Sequence, residues 1–138
     1  MAAIRRGMKK ILLSLGVIAA LAVPAAASAG SPIEGRWKRG NMQIDIKPCG
    51  QSLCGTIVKA SAKQQAKAQR VSGTELIGAR LIENIRPTGD GRYKARVFLA
   101  DRNMHATGTI RQVNNNQLAV RGCALLVICR SANWERVR

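Results

Sequence analysis

The residues of this chain best equipped for chemistry are four cysteines and a single histidine. Cys49 and Cys54 enclose four residues, and Cys123 and Cys129 enclose five. Thiols in such pairs can cycle electrons, hold zinc or join as disulfides. Redox pairs favour C-x2-C at a helix start, where the thiolate is stabilised, and structural zinc favours the same short knuckle. The wider spacings here argue for disulfides. Three pairings are open; Cys49 to Cys54 with Cys123 to Cys129 is preferred, because each pair flanks a loop that brings its ends together. In the chain-entropy model, closing loops this short stabilises by only about 2 kcal/mol each.

His105 follows Asp101 by four residues, close enough in sequence for a carboxylate to orient a general base. No serine or free thiol is visibly recruited beside them. His105 falls out of phase with Met104 and Ala106 and is expected to face solvent, while Asp101 sits in a turn-like stretch, Ala100-Asp-Arg-Asn103. No catalytic residue, metal ligand or cofactor is assigned from the sequence.

The segments that must position these residues begin after an address label. Arg5, Arg6, Lys9 and Lys10 form a positive region, Ile11 to Val23 an apolar one of thirteen residues, and Ala27-Ser28-Ala29 a small-residue cleavage pattern. That apolar run is shorter than the roughly 20 residues of a membrane span. A signal peptide over residues 1–29, cleaved after Ala29, is therefore expected, with one domain over 30–138 and a periplasmic or secreted location. Four of the 23 Lys and Arg lie in the leader, which leaves 19 against seven Asp and Glu, a net +12. So basic a domain is drawn to anionic surfaces such as lipid phosphates or acidic envelope polymers. Nucleic acid is not expected in that compartment.

Within 30–138 the apolar residues alternate. Met42, Ile44 and Ile46 interleave with Gln43, Asp45 and Lys47; Tyr93, Ala95, Val97 and Leu99 with Lys94 and Arg96; Met104, Ala106, Gly108 and Ile110 with His105, Thr107 and Thr109. This is the period-two signature of half-buried strands. Turn residues punctuate it at Gly40-Asn41, Pro48 to Ser52, Pro87 to Gly91 and Asn114 to Asn116. Eight short strands result, from Ile33 to Val137, and predict an all-β antiparallel barrel. Residues 59–72 break the pattern with helix formers. There Lys59, Lys63, Lys67 and Arg70 fall at helical spacing, a candidate contact for an anionic surface.

Several motifs carry a resemblance. Gly35-Arg36-Trp37, Pro48-Cys49-Gly50, Leu53-Cys54-Gly55-x-Ile57-Val58, Leu76-Ile77-Gly78, Arg121-Gly122-Cys123 and Cys129-Arg130-Ser131-x-x-Trp134-x-Arg136-Val137 resemble a bacterial exported family known as domain of unknown function 2147. Its members look like calycin-type barrels, the superfamily that includes lipocalins. The resemblance implies a small eight-stranded barrel whose Trp37 plugs one end beside a late-strand arginine, Arg130 or Arg136, with Trp134 joining the same end. Leu99 to His105 departs from the family by lacking a proline, glycine and tyrosine there, which puts in doubt any polar site built from that loop. The family supplies no agreed activity.

With only Trp37, Tyr93, Phe98 and Trp134 aromatic, and ligand pockets usually rich in such rings, an interior filled by its own side chains is expected. The functional expectation is a non-enzymatic binding module for an anionic or amphiphilic envelope component. The alternative is a protein-interaction or inhibitor domain with a periplasmic protein partner.

Overall fold

The computed structural model describes residues 30–125 and 128–138. The expected signal peptide over 1–29 lies outside the described residues. Eight strands run in chain order around a closed antiparallel barrel: β1 Gly35–Arg39, β2 Met42–Cys49, β3 Ser52–Lys59, β4 Arg80–Gly89, β5 Arg92–Leu99, β6 Met104–Asn114, β7 Gln117–Ala124 and β8 Ile128–Arg136. The ring closes where Trp37 pairs with Arg136 and Lys38 with Glu135. Among the described residues no helix is long and apolar enough to cross a membrane.

The alternation seen in the sequence is the inside and outside of this wall. Tyr93, Ala95, Ala106, Gly108, Ile110 and Leu118 are buried, whereas Arg92, Lys94, Arg96, Thr107, Thr109 and Arg111 are exposed. Strand limits differ from expectation at two prolines. Pro48 continues β2 opposite Leu53, and β4 runs through Pro87, opposite Tyr93, to Gly89. The turn that follows β4 is only Asp90-Gly91, both at positive φ (52° and 68°), the pairing that suits a two-residue hairpin.

Successive connections alternate between the two ends of an up-and-down barrel. One end holds the chain segment before β1, the β2–β3 loop, the β4–β5 and β6–β7 turns and the C-terminus. Its plug is Trp37, fully buried, whose indole Nε1 donates to the Ile33 carbonyl at 2.8 Å. The Arg136 guanidinium lies 4.2 Å from the centre of the Trp37 ring. Its three nitrogens donate to the carbonyls of Asn115, Glu34 and Pro32 at 2.6, 2.8 and 2.8 Å. One side chain thus ties the β6–β7 turn, the leading segment and the plug together.

The other end, the mouth, holds the β1–β2 turn, the β3–β4 connection, the β5–β6 loop and the β7–β8 hairpin. The β3–β4 connection contains helix α1, Ala62–Ser72, which starts at a capping box: Ser61 Oγ accepts from the Gln64 amide, and the Gln64 side chain accepts from the Ser61 amide. It ends at Gly73 in the left-handed region. Ala68 is the helix residue that reaches the core, and the following Leu76 to Ala79 docks on β3 through Gly78 and Ile57 backbone hydrogen bonds.

Candidate ligand cavity

The expectation of a filled interior is corrected by the structure. The barrel holds a cavity of about 850 Å³ that opens at the mouth. Strands β2 to β4 line it with Met42, Ile44, Ile46, Ile57, Leu81 and Ile82, and on β5 to β8 larger residues such as Val97, Ile110, Leu118, Val120 and Trp134 stand among the small Ala95, Ala106, Gly108, Gly122, Ala124 and Ala132. The alanines and glycines among these larger residues leave room that the rest of the lining does not fill. Protein interiors close voids larger than a water to native packing density, so a space of this size reflects the choice of side chains along the wall. Eight-stranded barrels are wide enough to hold one small ligand when their side chains leave room.

Charge is confined to the mouth. Arg39, Lys63, Lys67, Arg102 and Arg130 line it with one carboxylate, Asp101. All six are exposed. Lys67 Nζ stands 3.8 Å from Asp101 Oδ2, joining α1 to the β5–β6 loop, so the Asp101 charge is already engaged. Deeper in, the lining is aliphatic, with Trp134 buried on β8 opposite Leu118. The site is therefore an apolar chamber under a cationic rim.

The residues singled out by sequence fall as follows. Cys49 is bonded to Cys54 across the β2–β3 loop and Cys123 to Cys129 across the β7–β8 hairpin, one staple at each end of the barrel. Arg136, rather than Arg130, is the arginine over Trp37. Arg130 lies on the same inward row of β8, six residues earlier and at the opposite end, where it joins the rim. Trp134 belongs to the cavity wall and touches the mouth alongside Arg39 and Gln64, so it does not share the plug with Trp37. The basic stripe is shorter than expected, because Lys59 ends strand β3, opposite Gln43, and only Lys63, Lys67 and Arg70 are helical. His105 is exposed on β6, its ring centre 5.0 Å from that of its cross-strand neighbour Phe98. Among the described residues no hydrogen bond links it to Asp101.

Sequence reasoning missed the cavity and the rim arginines Arg39 and Arg102. The signal was present as the run of Ala and Gly at inward positions of β5 to β8, readable only once the inward phase of every strand is known.

A second polar cluster lies outside the wall. Arg36 Nε and Nη2 donate to Asp45 Oδ1 and Oδ2 at 2.7 and 3.0 Å, a two-pronged pair between β1 and β2, with Lys47 Nζ 3.6 Å away. The hydrogen bond from Arg36 holds the Asp45 carboxyl below its ordinary pKa. Burial pushes the other way, and the charges of Arg36 and Lys47 add to the lowering.

Comparison with known proteins agrees with this architecture. A solved structure described as "Protein HP1028 from the human pathogen Helicobacter pylori belongs to the lipocalin family" superposes with a TM-score of 0.56 at 10% identity, covering 76% of this chain and 82% of that one. At that identity the likeness concerns the fold alone. No curated protein matches the chain. The family model for uncharacterised proteins conserved in bacteria, DUF2147, matches residues 35–136, which takes in every strand of the barrel, and the chain belongs to that family.

Proposed function

We propose that the protein is a binding module for an amphiphile with an apolar chain and an anionic head, the chain seated in the barrel and the head held at the mouth. The observation that carries this reading is the sorting of the cavity, aliphatic within and bearing five cations against one already paired carboxylate at its opening. Burying the chain supplies the gain of about 25 cal/mol per Å² of apolar surface removed from water. The rim supplies selection, since a charged head left at an exposed mouth keeps most of its hydration and gains from nearby guanidinium groups. A volume of about 850 Å³ lies in the range of about 300 to 1,000 Å³ typical of small-ligand sites.

Two disulfides support an oxidising compartment, and we place the protein in the periplasm or outside the cell, with the amphiphile drawn from the envelope. Native mass spectrometry with a long-chain fatty acid and the fatty alcohol of equal length tests the reading. The acid is expected to bind at least about tenfold more tightly, and the double change Arg102→Gln, Arg130→Gln to erase most of that preference. Equal affinity for acid and alcohol in the unaltered protein would remove the rim from the account.

A further inference from the structure

The outer face of β4 to β8 carries a second charged feature, built by register rather than by sequence proximity. Arg86 is the direct partner of Lys94, Lys94 of Thr109, Thr109 of Arg121 and Arg121 of Ser131. These five residues therefore form one row across five strands, and all five are exposed. Neighbouring strands lie about 4.8 Å apart, so the row is about 19 Å long. Beside it Arg92 stands directly opposite Arg111. The side chains of Arg86 and Lys94, and those of Arg92 and Arg111, are like charges at the closest cross-strand position, an arrangement that destabilises a sheet. None of these cations is in a salt bridge among the described residues. Glu83, on the outer face of β4, is opposite Arg96, outside the row.

We infer that this row is a docking track for a linear anionic polysaccharide laid across the strands. A chain that tolerates two like-charge pairs gains from an external polyanion that neutralises both. Three cations in line, Arg86 and Lys94 on neighbouring strands and Arg121 two strands further, match a ligand whose charges also lie along a line. The hydroxyls of Thr109 and Ser131 flank Arg121 and can donate to sulfate, carboxylate or sugar oxygens. No aromatic side chain lies in the row, so the stacking on which single-stranded nucleic acid relies is missing. No large apolar side chain lies there either, so a bilayer would gain only charge contacts. The track is on the outside of the wall, and the inference does not depend on what the cavity holds.

The test measures binding of a heparin decasaccharide to the protein by fluorescence anisotropy over a range of salt. Single-stranded oligonucleotide of matched charge and anionic vesicles serve as rival ligands. Two variants of equal net charge are compared: R86Q/K94Q/R121Q in the row, and K38Q/R80Q/R138Q away from it. The row variant is expected to bind at least about tenfold more weakly, with a log–log salt slope smaller by about three. It should also melt at a higher temperature, because the Arg86 and Lys94 repulsion is gone. The control variant should stay within about threefold of the unaltered protein. Equal weakening by both variants, tighter binding of oligonucleotide or vesicles, or no binding of heparin by the unaltered protein at low salt would each overturn the inference.

Discussion

Gly35 and Arg136 show how closely the plug end is specified. Gly35 has φ 124°, a region that L side chains rarely adopt, and a Cβ placed there would lie 2.8 Å from Arg136 Nη1. Gly35→Ala is therefore expected to cost about 1 to 3 kcal/mol, by backbone strain and by displacing the guanidinium from its carbonyls. Arg136→Ala loses the same hydrogen bonds and the contact with Trp37, an expected loss of about 3 kcal/mol. Arg136→Lys should recover less than half of it, because an ammonium cannot serve three carbonyls in fixed directions. Urea denaturation of the three variants checks the order. Asp45 makes a prediction in pH. Its folded pKa is lowered by Arg36, so its contribution is complete above the unfolded carboxylate value of about 4 and disappears as pH falls through the folded value below it. Asp45→Asn should be less stable at neutral pH, with a flatter fall in melting temperature on acidification. The glycine and the pair Trp37 and Arg136 were legible as a motif, whereas the choice between Arg130 and Arg136 was not. Both lie on the inward row of β8, and only closure of β8 onto β1 shows which one faces the plug.

Helix α1 is the element that separates a plain hairpin barrel from this one. Its segment is rich in helix formers, but what the helix does there depends on the mouth. Lys63, Gln64, Lys67 and Ala68 face the opening, and Lys67 reaches Asp101 on the β5–β6 loop. The capping box at Ser61 fixes where the helix begins and so where these side chains point. Ser61→Ala removes one half of the box and is expected to cost about 1 kcal/mol. If the helix forms part of the rim, the same change should speed ligand release more than it slows association, a difference that stopped-flow fluorescence separates from a uniform loss of affinity. Lys59 could not be excluded from the helical stripe by spacing alone. It pairs with Gln43 across a bulge next to Ile44, and a bulge is a property of two strands together. The row from Arg86 to Ser131 was hidden for the same reason, its members being scattered over 46 positions of the chain.

Across the whole molecule, the barrel class followed from alternation and turn chemistry, both local, while the cavity followed from the sum over all strands. Counting aromatics predicts a filled interior, but the small inward residues on β5 to β8 leave it open. Ala95, Ala106, Gly108, Gly122, Ala124 and Ala132 line one half, and each looks unremarkable within its own strand. The two staples, at Cys49 to Cys54 and Cys123 to Cys129, hold opposite ends of a wall that encloses more space than a small core would keep by itself. This division of labour, a plugged end, an apolar chamber and a charged opening, is what the amphiphile reading rests on. It is tested most directly by the dissociation constant of a dansylated undecanoic acid for the protein and for Ala106→Phe. Ala106 lines the chamber on β6, so the new ring takes up its space. The account predicts that Ala106→Phe binds the probe at least about tenfold more weakly while its melting temperature holds or rises, as the void is filled. Unchanged affinity in a folded Ala106→Phe protein would contradict it, because the chain would then be bound somewhere other than the barrel.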